Sequence, residues 1–354
     1  MSRATIVTSL FVLTVVSEVV YIESVTCRDM NGMTVDWFYV YKLPKITTSG
    51  NVLIKTGVAF YYLDYNRQTF QLSTVSIENL SQPVAQTLQQ IYTSPAGTVD
   101  IYVAHIMYND QPPSGRRTSR GHTKGVVSYD GKDGFWMVHS VPKFPGKSSP
   151  YQWPGNANTY GQSILCVSFK SPEMENIANQ MLYNNPYVYS SNIPSKLKSI
   201  APTFQKILKG EHVKSSPWFR KTRLQSRGGE DFTHYAKYRS FGKDLYVDLV
   251  AKDLSSTFYV ETWRRRNVLP SDCTHRYHVY NILDIKFSPT VQFSYTKDHS
   301  KWAISESADQ VICIGDINRE KSQFKRGGGT LCANLPQVWN QYYGLMLCYE
   351  ACVG

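Results

Sequence analysis

Two short runs set a histidine two positions before a lysine and then lead into an apolar, strand-like segment: Arg120-Gly121-His122-Thr123-Lys124-Gly125 and Asp298-His299-Ser300-Lys301-Trp302. An imidazole can exchange a proton or attack an electrophile near neutral pH, and an ammonium group neutralises an oxyanion, so this pairing suits chemistry at phosphorus. In an extended segment residues i and i+2 share a face, with a rise of ~3.3 Å per residue, so the two groups of a motif can reach one phosphate together. His122 and His299 stand 177 residues apart in a chain of 354, which suggests one site built twice.

Composition tests that suggestion. Eight histidines and 22 lysines in 354 residues give about 0.5 His-x-Lys pairs by chance, and three occur. The third, His212-Val213-Lys214, lies in a polar stretch and reads as surface. The other two share a sequel. After His122 the chain forms a strand, turns at 130–134 and forms a second strand ending His139-Ser140-Val141-Pro142; after His299 it turns into an apolar strand followed by Gly315-Asp316-Ile317-Asn318. Ser140 in one half, and Asp316 with Asn318 in the other, are therefore expected to orient the imidazoles or to hydrogen-bond the phosphate. The bland alternative is a pair of satisfied histidines near strand ends with solvated lysines.

Elements able to hold such motifs recur in both halves. Strand patterns cover 36–42, 99–107, 125–129, 135–141 and 164–169, then 257–263, 277–287 and 311–317. A helix is expected from Ser171-Pro172-Glu173, with Met174, Ile177, Met181 and Leu182 along one face, and a second over 336–347. Residues 190–230 are rich in Ser, Lys, Pro and Gly and read as the join or as a long exposed excursion. The pattern is α/β in each half.

Bulk properties narrow the partners. Hydrophobic residues at 42% and aromatics at 13% exclude a disordered chain, and a formal charge of +11 favours a polyanionic partner such as nucleic acid or an acidic surface. Arg3 precedes an apolar run to Val16, with small residues at Ser17 and Ser24; this reads as a cleaved secretory signal over 1–24 and is shorter than the ~20 residues that span a bilayer. Seven cysteines without a CxxC pair fit disulfides in an oxidising compartment, with one thiol left over at Cys348 or Cys352. Asn79-Leu80-Ser81 is the one glycosylation sequon.

Taken together, Val35 to Pro44 (VDWFYVYKLP), Tyr108 to Pro113 (YNDQPP), Arg120 to Gly125 (RGHTKG), Gly134 to Pro145 (GFWMVHSVPKFP), Thr159 to Phe169 (TYGQSILCVSF), Asp298 to Trp302 (DHSKW), Gly315-Asp316-Ile317-Asn318-Arg319 and Arg326 to Ala333 (RGGGTLCA) closely resemble the acid deoxyribonuclease (deoxyribonuclease II) family, a variant of the phospholipase D-like superfamily. The resemblance implies an α/β/α sandwich, an internal pseudodimer whose lobes, 25–195 and 196–354, each give one His-x-Lys to a shared site. It implies a DNA endonuclease that needs no metal or other cofactor, works best in acid and leaves 3′-phosphate and 5′-hydroxyl ends through a phosphohistidine. His122, Lys124, His299 and Lys301 would carry the chemistry, with either histidine as nucleophile, and Asp130, Ser140, Asp316 and Asn318 would support them. By the same analogy the disulfides are Cys27–Cys166, Cys313–Cys332 and Cys273–Cys352, which leaves Cys348 over. Two departures stand out: Lys143 occupies a place where the superfamily often has asparagine, and the second motif has no acid corresponding to Asp130.

DNA contacts should come from basic side chains with little base reading, Arg116, Arg117 and Arg120 first and Arg264 to Arg266 less directly. A secreted, non-catalytic DNA-binding or host-interaction paralogue of the same fold is the main alternative, and a lipid phosphodiesterase a distant one. A leader would bring the protein to the lysosome or outside the cell, with no stable membrane insertion.

Overall fold

The computed structural model describes residues 24–92, 102–117, 119–147, 150–265, 267–306 and 309–352; the expected leader, apart from Ser24, lies outside them. Two large sheets organise the chain. The first contains β1 (Trp37–Lys42), β2 (Phe60–Asp64), β3 (Arg67–Leu72), β4 (Ala104–Asn109), β5 (Lys124–Tyr129), β6 (Asp133–His139), β7 (Gln162–Lys170) and β8 (Val188–Asn192), in the order β8-β4-β5-β6-β7-β1-β2-β3, antiparallel throughout. The second contains β9 (Phe219–Gln225), β10 (Asp231–Lys237), β11 (Phe258–Glu261), β12 (Val279–Ser288), β13 (Val291–Ser294), β14 (Trp302–Ser305), β15 (Val311–Gly315), β16 (Gly328–Asn334) and β17 (Met346–Glu350). Its order is β9-β10-β16-β15-β14-β11-β12-β13, with β17 on β12, and only β11–β12 is parallel.

Central strands are apolar on both faces because both faces are covered. Along β1, Trp37, Tyr39 and Tyr41 enter the core between the sheets, while Phe38 and Val40 enter an outer core. Helix α1 (Pro83–Tyr92) closes that outer core with Val84, Ala85 and Leu88. On the far side of the second sheet, the π-helical turn Tyr246–Ala251 does the same. Helices α2 (Glu173–Asn184) and α3 (Pro336–Leu345) contribute Met174, Ile177 and Met181, and Val338, Trp339 and Tyr342, to the core between the sheets. The result is a layered α/β sandwich of large sheets and few helices.

Several expectations shift. Helix α2 forms where its apolar spacing requires, but Ser171 does not cap it: its hydroxyl donates to the carbonyls of Asp130 and Asp133 at the β5–β6 hairpin. The stretch 190–230 is no plain loop. It carries the end of β8, a helix over Thr203–Leu208 and β9, because Phe204 and Ile207 are buried in the central core. Asn109 ends β4 later than the sequence suggested, and residues 93–101 are outside the described set. The three disulfides are Cys27–Cys166, Cys273–Cys352 and Cys313–Cys332, with Cys348 free and exposed. Asn79 lies exposed in a turn, its amide oxygen accepting from Ser81. Among the described residues no helix is long and apolar enough to cross a membrane.

Candidate active site

Both motifs precede a central strand at the same end of its sheet: Lys124 opens β5, and Lys301 immediately precedes β14. Each is held by backbone from the opposite sheet. The His122 N–H donates to the Gly327 carbonyl at 2.8 Å, and the His299 N–H to the Gly161 carbonyl at 2.9 Å. One residue pair further on the arrangement repeats: the Lys301 N–H donates to Ser163 Oγ at 3.2 Å, and the Lys124 N–H to Asp316 Oδ1 at 3.4 Å. Close backbone approach explains the glycines here. A Cβ on Gly161 would sit 2.2 Å from Asp298 Oδ1, and one on Gly121 would sit 1.8 Å from the Asn184 carbonyl oxygen.

The four side chains His122, Lys124, His299 and Lys301 line one cleft of about 610 Å³. His122 Nδ1 and His299 Nε2 are buried, with no hydrogen-bond partner among the described residues. Because both imidazoles line the cleft, a ligand bound there can supply the missing partners. Around His122 the cleft is ionic. Asp110 takes Lys124 Nζ on one oxygen at 2.5 Å and Arg326 Nη2 on the other at 3.0 Å. Burial alone would raise the Asp110 pKa, but Lys124, His122 and Arg326 hold it below the usual carboxylate range. Arg326 also donates to the carbonyls of Arg120 and Gly121, pinning the segment that enters the first motif.

Around His299 the cleft is aromatic. Tyr160 stacks on the imidazole at 4.1 Å with 12° between planes, and Trp263 lies 3.8 Å away on a tilt of 44°. Lys301 donates to the His299 carbonyl at 2.6 Å. Behind it, Asp298 accepts from Tyr41, from Ser300 Oγ at 2.6 Å and from Ser300 N at 2.9 Å. Glu261 is fully buried with neither oxygen bonded among the described residues, and burial pushes its pKa well up, against Arg264.

Burial and the flanking cations depress both imidazoles. For His299, burial, Lys301 and Lys124 bring the pKa to about 2. For His122, burial, Lys124, Arg326 and Lys301 lower it well below its usual value, while Asp110 acts against them. Burial and Lys124 lower Lys301 to about 7, and burial raises Asp316 to about 7.

The remaining sequence-derived residues divide. Ser140 and Asn318 line the cleft, but neither bonds an imidazole: Ser140 Oγ donates to Gln162 and accepts from Ser163 N. Asp316 is tied to Thr123 Oγ1 at 2.8 Å and to the Lys124 N–H, so it braces the first motif's backbone instead of an imidazole. Asp130 is not brought to the site. It sits beyond the far end of β5, roughly 20 Å from Lys124 along the strand, where it accepts from the backbone of Lys132, Asp133 and Val25. Of the basic trio, Arg116 lines the cleft, Arg117 lies over the Tyr187 ring and Arg120 bonds Asn185. His212 stacks on Tyr238, away from the cleft.

Asp110, Arg326, Tyr160 and Trp263 were not singled out by sequence reasoning. Three of them fall inside stretches quoted above, Tyr108 to Pro113, Thr159 to Phe169 and Arg326 to Ala333, but without a role, because only the fold joins them to a motif. Among the described residues no three His, Cys, Asp or Glu side chains converge in a way that could hold a metal ion.

Comparison with known proteins fits this arrangement. The family model described as Deoxyribonuclease II matches residues 26–352. The chain is 42% identical over 337 residues to Plancitoxin-1 of Acanthaster planci, covering 93% of each. It is 38% identical to Deoxyribonuclease-2 of Caenorhabditis elegans, covering 90% of this chain and 91% of the relative. It is 37% identical to Deoxyribonuclease-2-alpha of Sus scrofa, covering 94% and 92%.

Proposed function

The chain belongs to the deoxyribonuclease II family, and from that premise we propose that it is an acid DNA endonuclease that works without a metal, through a phosphohistidine, in the cleft shared by both His-x-Lys motifs. The observation that carries the reading is that His122, Lys124, His299 and Lys301 open onto one cleft, each imidazole with a buried nitrogen unpartnered. In this reading the chain is an internal pseudodimer joined near residue 195. Support comes from matching strand orders, β4-β5-β6-β7-β1 in one sheet and β11-β14-β15-β16-β10 in the other, and from the reciprocal backbone bonds between them.

A phosphodiester resists attack because of its charge, so catalysis must neutralise it, place a nucleophile and protonate the leaving oxygen. Lys124 and Lys301 take the first task at the non-bridging oxygens. The surroundings divide the other two. His299 faces aromatic rings and cations only, which keep it neutral and nucleophilic; His122 faces Asp110, the one carboxylate that favours its protonated form. A His299 nitrogen attacks phosphorus, the P–O5′ bond breaks, and the His122 proton passes to O5′ to give the 5′-hydroxyl. His122, now neutral, takes a proton from water, whose oxygen attacks phosphorus; the P–N bond breaks and a 3′-phosphate leaves.

Acid preference follows from the direction of the shifts. Both imidazoles are depressed in the free site, so protonation of His122 demands low pH and the charge of a bound phosphate. Lys301, at about 7, is then fully charged. Arg116 and Lys143 on the cleft wall would hold flanking phosphates. The disulfides and the exposed Asn79 sequon suit a glycosylated protein of the lysosome or the extracellular space. The test is plasmid nicking by the purified mature protein at pH ~5 in excess chelator: nicking with 3′-phosphate ends is expected, and binding without cleavage between pH 4 and 8 would overturn the reading in favour of a non-catalytic paralogue.

A further inference from the structure

A second hollow, of about 410 Å³, opens beside the catalytic cleft and shares Tyr160 with it. Its other lining residues are Arg264, Arg265, Tyr295, Thr296 and Lys297. Arg264 is buried and fixed: Nη2 donates to the Ile282 carbonyl at 2.6 Å, and the guanidinium lies 4.3 Å over the Tyr295 ring. Arg265 and Lys297 are exposed on the walls, Arg265 with its guanidinium 5.3 Å over Trp263. The trough is not free to move relative to the chemistry. The Lys297 carbonyl accepts the Gly161 N–H at 2.9 Å, and the Gly161 carbonyl accepts the His299 N–H, so the trough's rim and the reacting imidazole hang on one residue.

We propose that this trough is a subsite for unpaired nucleotides of the cleaved strand, on the His299 side of the scissile phosphate. The inference rests on the nuclease reading above. Flat π faces alternating with solvent-facing cations are what a single strand uses: bases stack on Tyr160 and Tyr295, and phosphates meet Arg265 and Lys297. Among the described residues no carboxylate lines the trough, which suits a polyanion and not a cationic ligand. A base within an intact duplex is stacked and paired, and offers no free face to a ring. The His122 side is different: Asp110, Gln111, Arg116, Lys143 and Arg326 line it, without an aromatic face among the described residues. The subsite therefore gives the enzyme a direction: frayed ends, gaps and single-stranded flanks are cut faster when the unpaired segment lies on one particular side of the bond.

The test compares the full mature chain with its Arg265→Ala/Lys297→Ala variant, both substitutions being on exposed side chains. In a titration of a fluorescent single-stranded thymidylate octamer against salt at pH ~5, the variant's log K versus log salt slope should be shallower by about 1.4, two phosphates at ~0.7 each. Arg265→Lys/Lys297→Arg should restore it. Tyr295→Ala should weaken binding roughly tenfold. In cleavage, a substrate with one susceptible bond should be cut about tenfold faster with an unpaired flank on the preferred side than with that flank paired, and the double variant should lose the difference. An unchanged slope together with an unchanged flank preference overturns the subsite. Retained slope changes without any cleavage would overturn the nuclease reading and leave the subsite standing, so the two failures are separable.

Discussion

Around His122 the cleft is built from charge, with Asp110 clamped between Lys124 and Arg326; around His299 it is built from rings, with Tyr160 and Trp263 against the imidazole. The two motifs have the same spacing, the same relation to a central strand and the same backbone bond from the opposite sheet. What differs is the environment of the imidazole. A carboxylate stabilises an imidazolium, whereas stacked rings and cations disfavour it, so of two depressed imidazoles His122 has Asp110 acting toward its protonated form. Similar strand settings fix where the groups stand, and the neighbours peculiar to each motif set the charge around its imidazole.

The sharpest way to break this contrast is to remove each imidazole in turn and change the leaving group. His299→Ala should abolish turnover of both DNA and bis(p-nitrophenyl) phosphate, a loss of at least about a thousandfold, because the proposed mechanism makes His299 the nucleophile. His122→Ala should lose DNA cleavage to a similar extent yet release a burst of nitrophenol, since a good leaving group needs no proton. A burst from His299→Ala, and none from His122→Ala, would reverse the two roles.

Asp110→Asn comes next in size. It removes the charge that raises the His122 pKa and leaves Lys124 and Arg326 facing each other in a buried site. Breaking a buried ion pair from one side costs about 3–5 kcal/mol, so a lower melting temperature is expected. Whatever activity survives should have its half-maximal point at lower pH, because His122 is then harder to protonate. Trp263→Ala, the corresponding change on the aromatic side, should lower kcat about tenfold by loosening His299, without moving the pH profile in that direction.

How much of this could be read beforehand depended on whether the information was local. His122, Lys124, His299 and Lys301 were legible because a two-residue spacing and the strand that follows both lie within a dozen positions. The strands around 36–42, 125–129 and 164–169 were legible because residues buried on both faces leave unbroken apolar runs. Asp110 and Arg326, by contrast, are 216 residues apart and meet only when the sheets face each other. Asp130 misled for the same reason: near His122 in sequence, it is carried to the other end of β5 by the strand itself. Ser140 and Asp316 stand just past the ends of β6 and β15, but neither bonds an imidazole: Ser140 bonds Gln162 and Ser163 at the start of β7 in its own sheet, whereas Asp316 braces Thr123 and Lys124 across the sheet boundary, a partner that no local pattern encodes.

A smaller effect is expected at Asp316, where the contrast is between pH ranges. Burial raises its pKa from the ordinary 3.8 to about 7, so the folded state prefers the neutral form. Its contribution is present in full below pH 3.8 and is lost as pH rises through 7. Lys301, lowered to about 7, has the opposite sign: its contribution is present above its ordinary 10.5 and lost as pH falls through 7. Asp316→Asn imitates the protonated form, since a side-chain amide can still exchange hydrogen bonds with Thr123. Melting curves should show the variant gaining stability relative to wild type between pH 5 and pH 8, by up to about 3 kcal/mol. Equal destabilisation at both pH values would mean that Asp316 acts as an ordinary ionised brace.

The least effect belongs to the second sheet's unmatched edge, which tests whether the contrast stops at the cleft. Strand β17 pairs with β12 and carries Cys348, whose thiol donates to Asp284 Oδ2 at 3.1 Å. Partial burial, and then that hydrogen bond to a carboxylate, raise the thiol pKa, and the nucleophilic thiolate is correspondingly scarce. Cys273 and Cys352 are already joined, so Cys348 has no native partner to lose. Cys348→Ser should keep the Asp284 bond, shift stability by no more than about 0.5 kcal/mol as exposed substitutions usually do, and leave the pH profile of DNA cleavage where it was. A mixed population of disulfides in the wild type that collapses to one in the variant would show Cys348 competing for Cys273, and would place the chain's redox weakness at this edge instead of among the three bridges.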